Sequence, residues 1–343
     1  MNLPLIRNPA YLSLEPKELE FLPLQKGKIY DQLYNAYSKA NFFSTDPNSK
    51  KLLPFYVLEK GSKRFFLKVI PKRHKNKLIN ADKISSYLYN QKGINVLTII
   101  ERLSRQINEN FILCYKYVDG SFCDSTDNQL KLLGKSLAKL HYKLSKLNNK
   151  KILNKTKENS SSLLKQFRFL TNSTLTSGPK PLLLKEILLK EKEVFNNFSR
   201  NLFVQPIHGD LVTGNILFSK NKVYFLDFED TVSSFSSIEL DVFLVFERLI
   251  FIPFLHNKAL IKKKAQIFLK SYAKECSNNK FLTLWAYDVL TFLSIRSLIT
   301  LSLLEYNNQI INNKEWNKFF YLYRQVKNNK RIMYDICYEF KKN

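Results

Sequence analysis

Glycine is scarce in this chain, with 8 among 343 residues beside 11 prolines. That excludes collagen-like and low-complexity architectures. Cysteine is scarcer still: residues 114, 123, 276 and 337 are the four, with no CxxC spacing. Neither a disulfide scaffold nor a structural zinc site is expected, and a reducing cytoplasm is the expected compartment. Acidic residues are also short, 29 against 55 Lys and Arg, for a formal net charge of +26. Uninterrupted apolar runs are missing. The opening MNLPLIRNPAYLSLEPKELEF holds no signal-type apolar core. The most apolar stretches are Leu240–Leu255, broken by Asp241, Glu247 and Arg248, and Leu282–Leu304, broken by Asp288 and Arg296. Such charges are costly in lipid, so both are expected as buried core helices, with no transmembrane segment.

What the chain does contain suits a sizeable core: 45% hydrophobic and 24% charged residues, which excludes global disorder. At 343 residues it fits one two-lobed domain or two small ones. The charge has two readings, a polyanionic partner or plain composition. Lys outnumbers Arg 44 to 11, whereas readers of nucleic acid favour Arg for bidentate contacts. Nucleic acid is not expected as a partner. Peripheral contact with an anionic surface is left open.

Residue patterning divides the chain. The first 40 residues read as helical, with candidates at Pro16–Phe21 and Lys28–Lys39. Phe55–Glu59 and Arg64–Ile70 read as a hairpin around Lys60-Gly61-Ser62-Lys63. Leu78–Lys92 has helical spacing and Gly93 as its stop. Strands follow at Asn95–Leu103 and Phe111–Val118. After Asp119-Gly120 the pattern changes to an amphipathic helix over Leu130–Leu147, and Leu182–Phe198 is again helical. Leu202–Ile207, Ile216–Ser219 and Val223–Phe228 read as short extended segments, and everything past Ile238 as helix. A small, mostly β portion therefore precedes a large helical one.

The densest cluster of reactive side chains is His208-Gly209-Asp210-Leu211-Val212-Thr213-Gly214-Asn215, followed by Tyr224-Phe225-Leu226-Asp227-Phe228-Glu229-Asp230. An Asp in a tight loop, an Asn five residues on, and an Asp closing the next short strand can converge. Carboxylate and amide oxygens are hard ligands suited to Mg²⁺, and a carboxylate beside the metal can take a proton from a hydroxyl. Phosphoryl transfer needs those parts.

IHGDLVTGNIL and YFLDFED resemble the HGDxxxxN loop and hydrophobic-Asp-aromatic strand of the aminoglycoside phosphotransferase and choline kinase-like family. That resemblance implies an α+β, two-lobed protein-kinase-like fold, with a small antiparallel β-rich N-terminal lobe over residues 1–118 and a large helical lobe over 119–343. It further implies Asp210 as catalytic base, Asn215 and Asp227 as Mg²⁺ ligands, and ATP as phosphoryl donor. Lys68, in RFFLKVI, matches the strand lysine that meets the α- and β-phosphates. Asp82 stands where that lysine's acidic partner is expected, one methylene shorter than the usual Glu. Ser49 and Lys50 fall in a phosphate-loop segment, Phe43–Lys50, that lacks glycine. Tyr117 and Val118 occupy the adenine-binding hinge, and Gly120 fits the glycine that follows it. His141 and His208 are implied to be structural, and Asp241 to brace the catalytic loop; helix-start chemistry would explain Asp241 equally well.

The expected reaction is therefore transfer of a γ-phosphoryl group to a hydroxyl of a small molecule. Between Tyr142 and Arg200 lie 13 Lys or Arg and 4 acids, a balance of +9. A polycationic aminoglycoside is disfavoured there, and a neutral or anionic alcohol favoured. Two rivals stand beside this reading: a kinase-like binding or regulatory protein with weak catalysis, and a protein Ser/Thr kinase of the same branch. Against the latter, DFE replaces DFG and no APE-type segment follows. The oligomeric state is not legible.

Overall fold

The computed structural model describes residues 10–13, 55–60, 63–101, 104–107, 110–148, 150, 153–154, 165–172, 178–194, 205–276 and 286–341. The helices expected at Pro16–Phe21 and Lys28–Lys39, and the segment with Ser49 and Lys50, lie outside those residues. Contacts divide the chain into two units: Met1–Phe122 with Leu217–Leu226, and Cys123–Ile216 with Asp227–Asn343.

In the first unit, strand β1 is Ala10–Ser13, and β2 (Phe55–Lys60) and β3 (Lys63–Pro71) form the expected hairpin. Its register sets Phe55 opposite Lys68 and Lys60 opposite Lys63. Helix α1 (Lys75–Tyr89) follows, then β4 (Asn95–Val96), β5 (Arg105–Ile107) and β6 (Asn110–Lys116). The larger sheet runs β1-β2-β3-β6-β5. Aromatic and β-branched residues in β3 and β6 suit a pleated, half-buried surface. Ile70, Leu78 and Leu113 form a core with Ile99, Phe111 and Tyr115 around them, so α1 lies on one face of the sheet. The helix ends at Tyr89, three residues short of the expected Lys92, and the chain then turns through Gly93 at φ +87°.

Two expectations for this unit need correction. The opening contains a strand, since Ala10–Ser13 pairs in parallel with β2. Among the described residues, the strand expected over Asn95–Leu103 is reduced to Asn95–Val96 plus a bridge from Ile99 to Tyr115. The reason is non-local. β4 is placed by β10 (Lys222–Phe225), with Asn95 opposite Tyr224 and Val96 opposite Phe225, in parallel. Asn95 Nδ2 also donates to the Val223 carbonyl at 3.2 Å.

That second sheet runs β4-β10-β9-β7, where β7 is Ser121–Phe122 and β9 is Ile216–Ser219. Lys220 and Asn221 join β9 to β10 with φ of +46° and +59°, a two-residue turn whose twist matches its strands. Gly120 has a steric reason: a Cβ there would stand 2.3 Å from the Phe218 carbonyl oxygen.

The second unit is mainly helical: α2 (Asp127–Ser145), α3 (Pro181–Lys190), α4 (Glu239–Phe246), α5 (Lys258–Glu275), α6 (Ala286–Tyr306), α7 (Asn313–Asn328) and α8 (Lys330–Lys341). A two-stranded ribbon joins β8 (Gln205–Pro206) to β11 (Phe235–Ser236), antiparallel. Helix α2 begins with a capping box between Thr126 and Gln129, so it starts three residues before the expected Leu130. Asn257 and Asn312 cap α5 and α7 with their side-chain oxygens. Among the described residues α6 is the one helix long and apolar enough to cross a membrane, yet most of it is buried inside the unit. Buried Leu290, Ile295, Leu298 and Ile299 account for its apolarity as core packing.

Helices α2 and α5 run parallel in close contact. Asp127 meets Lys263 at 3.0 Å and Lys139 meets Glu275 at 4.0 Å, so both chains advance in the same direction. Gly134 makes this possible, because a Cβ there would stand 2.5 Å from the Phe268 carbonyl oxygen and 2.9 Å from the Tyr272 nitrogen. Gly134→Ala is expected to force the helices apart and cost about 1–3 kcal/mol, despite the better helix propensity of alanine. Urea unfolding of the two proteins measures it; an unchanged or raised midpoint contradicts the packing described.

Candidate active site

His208–Asn215 forms a loop fixed by its own backbone. Ile207 N–H donates to the Ser234 carbonyl (3.0 Å), Val212 N–H to that of Asp210 (3.0 Å), and Asn215 N–H to that of Val212 (2.9 Å). Gly209 is required: its φ is +84°, and a Cβ would stand 2.2 Å from Ser234 Oγ. The segment after Asp227 closes onto the same loop. Thr231 Oγ1 donates to the His208 carbonyl at 3.1 Å, and the His208 and Phe228 rings lie 4.7 Å apart.

Asp241, near the start of α4, holds the loop from beneath and is fully buried. Its Oδ2 accepts the His208 N–H at 2.7 Å and its Oδ1 the Gly209 N–H at 2.8 Å. His141, on the buried face of α2, adds a third contact, Nε2 to Asp241 Oδ2 at 3.1 Å. An ionised carboxylate only accepts, which puts the ring proton on Nε2 and leaves Nδ1 to accept from Tyr272 O–H at 2.6 Å. Burial pushes the Tyr272 hydroxyl well up, keeping it a donor. Burial alone would raise the Asp241 carboxyl, but the His141 hydrogen bond, the electrostatic pull of the His141 and His208 rings and the Gly209 N–H outweigh it and hold it below the usual carboxylate range. His141 and His208 thus sit in structural positions, and Asp241 does far more than favour a helix dipole.

Asp210 and Asn215 meet directly. Asn215 Nδ2 donates to the Asp210 carbonyl and to Asp210 Oδ2, both at 2.8 Å. Asn215 is fully buried, and its Oδ1 has no hydrogen-bond partner. A buried carbonyl oxygen without a donor is costly. Asp227, partly buried just past β10, has φ +64°, a left-handed backbone uncommon outside glycine and frequent at functional sites.

Mg²⁺ is the metal the sequence implies, and the donors fit it. Asn215 presents a hard oxygen that no protein group engages. Asp227 supplies a carboxylate next to Phe228, whose ring packs on His208 of the same loop. Among the described residues no three His, Cys, Asp or Glu side chains gather as a metal site. Few protein ligands are what Mg²⁺ usually takes, the rest being phosphate and water oxygens.

In the first unit, Lys68 lies mid-strand in β3, opposite Phe55 and Leu113, and is partly buried. Strand alternation turns its side chain away from the face of buried Leu67. Asp82 lies on α1, partly buried. Its Oδ1 accepts the Ile99 N–H at 2.7 Å, and burial, aided by the Glu101 charge, raises its pKa against that bond. That bond ties α1 to the chain after β4. Tyr117 N–H donates to the Arg64 carbonyl at 3.2 Å, continuing the β3–β6 ladder. The Arg64 guanidinium lies over the Tyr117 ring, 5.2 Å from its centre. Val118 is partly buried beside it.

Two features of the second unit have little signal in the sequence. After α4 the helix widens into a π-turn over Glu247–Phe251, a distortion frequent at functional sites. It holds buried Glu247, raised by burial against the pull of Arg248, with the pair 3.1 Å apart. Arg296, in the middle of α6, has its guanidinium pKa lowered by burial, while Asp230, Asp210 and Asp241 oppose that shift. A lone charge inside an apolar helix is the sole sequence sign of it.

Asp241 supplies the measurable consequence. Its carboxyl is depressed in the folded state, so its stabilisation is present above the ordinary value near ~3.9 and is lost as pH falls through the folded value. Asp241→Asn is expected to cost about 3–5 kcal/mol at pH 7 and to flatten the loss of stability below about pH 4. Urea titrations across pH check both; a variant as stable as wild type contradicts the brace.

Comparison with known proteins agrees with this geometry. No curated protein matches the chain. Among solved structures, choline kinase LicA from Streptococcus pneumoniae superposes with a TM-score of 0.52 at 15% identity, covering 80% of this chain and 90% of that one. The AMP-bound spectinomycin phosphotransferase APH(9)-Ia gives 0.50 at 15% identity, covering 92% and 99%. A thermostable mutant of aminoglycoside phosphotransferase APH(4)-Ia gives 0.52 at 10%, covering 81% and 89%. At such identities these likenesses show the fold, the two-lobed α+β kinase-like one expected from the sequence. The family model described as the phosphotransferase enzyme family matches residues 49–248, more than half the chain and all of the loop just described. The chain belongs to that family.

Proposed function

We propose that this phosphotransferase moves the γ-phosphoryl group of ATP, with Mg²⁺, to a hydroxyl of a small neutral or anionic molecule. The observation that carries the proposal is Asn215: its amide nitrogen donates to Asp210 while its buried oxygen stays without a protein partner. A residue serving only the fold would have both ends of its amide engaged.

Asp210 is the base. Asn215 fixes both its backbone and one carboxylate oxygen, so the carboxylate is pre-oriented to accept the proton of the acceptor hydroxyl as its oxygen attacks phosphorus in line. Asn215 and Asp227 hold the metal, which when bound neutralises charge on the phosphate oxygens. Lys68 holds the α- and β-phosphates, and the peptide groups of Tyr117 and Val118 border the adenine. With Tyr117 N–H already engaged by the Arg64 carbonyl, the donor role falls to the Val118 peptide. Asp82, whose Oδ1 also ties α1 to the chain after β4, is kept as the acidic partner of Lys68 on the sequence resemblance alone. Ser49 and Lys50 are retained as phosphate contacts on the sequence resemblance alone.

Acceptor charge follows from the balance of +9 over residues 142–200. Cationic acceptors are repelled by such a field and neutral or anionic ones are not.

Asp210→Asn is expected to lower kcat by at least about 10³, with nucleotide affinity within about twofold by calorimetry. Turnover close to wild type contradicts the assignment of the base. In a panel of alcohols, sugars and antibiotics, kanamycin-type aminoglycosides are expected at a kcat/KM at least about tenfold below the best neutral or anionic acceptor. Efficient aminoglycoside turnover contradicts the charge argument.

A further inference from the structure

The parallel pair α2 and α5 contains ten lysines, no arginine, and only two acids, Asp127 and Glu275. Both acids are engaged by lysines of the pair itself: Asp127 by Lys263 at 3.0 Å and Lys264 at 3.5 Å, Glu275 by Lys139 at 4.0 Å. Two of the ten lysines are drawn inward, since Lys264 is buried on the Ser125 carbonyl and Lys262 pairs with Asp335 at 2.9 Å. Six of the other eight fall into two ordered ridges.

On α2, Lys131, Lys135, Lys139, Tyr142 and Lys146 follow one another at steps of four, four, three and four, which forms a single ridge. On α5, Lys263, Lys270 and Lys274 do the same at steps of seven and four. The two ridges share a side. Gly134 and Ser271 touch across the seam. One residue advances a helix by about 100°. Lys135, one after Gly134, therefore lies just over a quarter turn to one side of the seam, and Lys270, one before Ser271, as far to the other. On parallel neighbours those opposite rotations give one outer face. The α2 ridge from Lys131 to Lys146 is about 22 Å long. Tyr142 stands in it 49% exposed, and the ammonium groups of Lys143 and Lys146 lie 5.7 and 5.6 Å from the centre of its ring.

We infer that this face docks the protein peripherally on a lipid surface bearing anionic headgroups. Charge complementarity selects an anionic occupant, and the chemistry of the face selects among anions. Ammonium groups on long flexible stems act as point charges against a diffuse negative surface. The guanidinium forks that read phosphates and base edges of nucleic acid are absent from both helices. Two helices side by side make a broad face rather than one ridge fit for a groove. An exposed tyrosine among lysines has an apolar ring and polar tip suited to the headgroup boundary, while the lysine stems can lie along it. This docking is separate from the phosphotransfer reading: none of its residues belongs to the loop around Asp210.

The test is co-sedimentation of the full chain with two kinds of vesicle. One is phosphatidylcholine alone, and the other carries about 30% phosphatidylglycerol, enough for a negative surface potential. Binding is expected only to the anionic vesicles, falling at least about tenfold between low and high salt as screening sets in. The variant with Lys131, Lys135, Lys270 and Lys274 all changed to Gln is expected to lose at least about tenfold in partitioning. Its melting temperature and its phosphotransfer to soluble acceptors should stay those of wild type. Should the variant fold poorly, a Tyr142→Trp substitution in an otherwise unchanged chain reads the same face by fluorescence. Relative to wild type, an added blue shift is expected on anionic vesicles only. No binding to anionic vesicles at low salt, equal binding by the lysine variant, or no fluorescence response from position 142 overturns the inference. So does tighter binding to duplex RNA than to anionic vesicles at the same salt, if the lysine variant abolishes it.

Discussion

A single buried carboxylate holds the His208–Asn215 loop in shape. Asp241 accepts from the backbone of His208 and Gly209 and from the ring of His141, and each contact solves a different problem. The two N–H groups belong to a turn whose glycine is left-handed, so they have no strand or helix partner, and the carboxylate satisfies both at once. His141 ties that carboxylate to α2 and, through Tyr272, to α5. The two helices meet there because Gly134 admits backbone contact. Loop shape and helix packing are thus coupled through one hydrogen-bonded chain from Tyr272 to Gly209. Since an uncompensated buried charge is very costly, the fold holds together around this carboxylate only while its partners stay in place.

What this coupling achieves chemically is seen at Asn215. The loop places it fully buried, directs its amide nitrogen to Asp210, and leaves its oxygen without a protein donor. The left-handed Asp227 adds a second conformational cost in the same unit. Costs of this kind persist when a bound group offsets them, and a divalent cation with its phosphate oxygens is such a group.

Much of this is legible in the sequence, because its determinants are local. The hairpin of β2 and β3, the existence of helix α1, the amphipathic α2 and the spacing of Asp210, Asn215 and Asp227 all follow from residues near one another in the chain. What the sequence hides depends on distant partners. β4 is two residues long because Tyr224 and Phe225 supply its edge, and nothing in Asn95–Leu103 announces that. The place of Asp82 on its helix suggests a lysine's partner, whereas its shortest contact is a backbone N–H that only the folded turn presents. In the sequence Arg296 is simply a charge unsuited to lipid; its relation to Asp210, Asp230 and Asp241 exists only once α6 is packed. The lysine excess looks compositional along the chain, and its ordering into ridges becomes visible only when two helices are known to be parallel.

The central claim is that the Asn215 oxygen is kept free for a divalent cation. Mn²⁺ binding read by electron paramagnetic resonance, in the presence of ADP, tests it most directly on wild type and Asn215→Leu, with ADP affinity measured separately without metal. The account predicts that the variant loses at least about tenfold in Mn²⁺ affinity while metal-free ADP binding is unchanged. Equal Mn²⁺ affinity in the two proteins would contradict it.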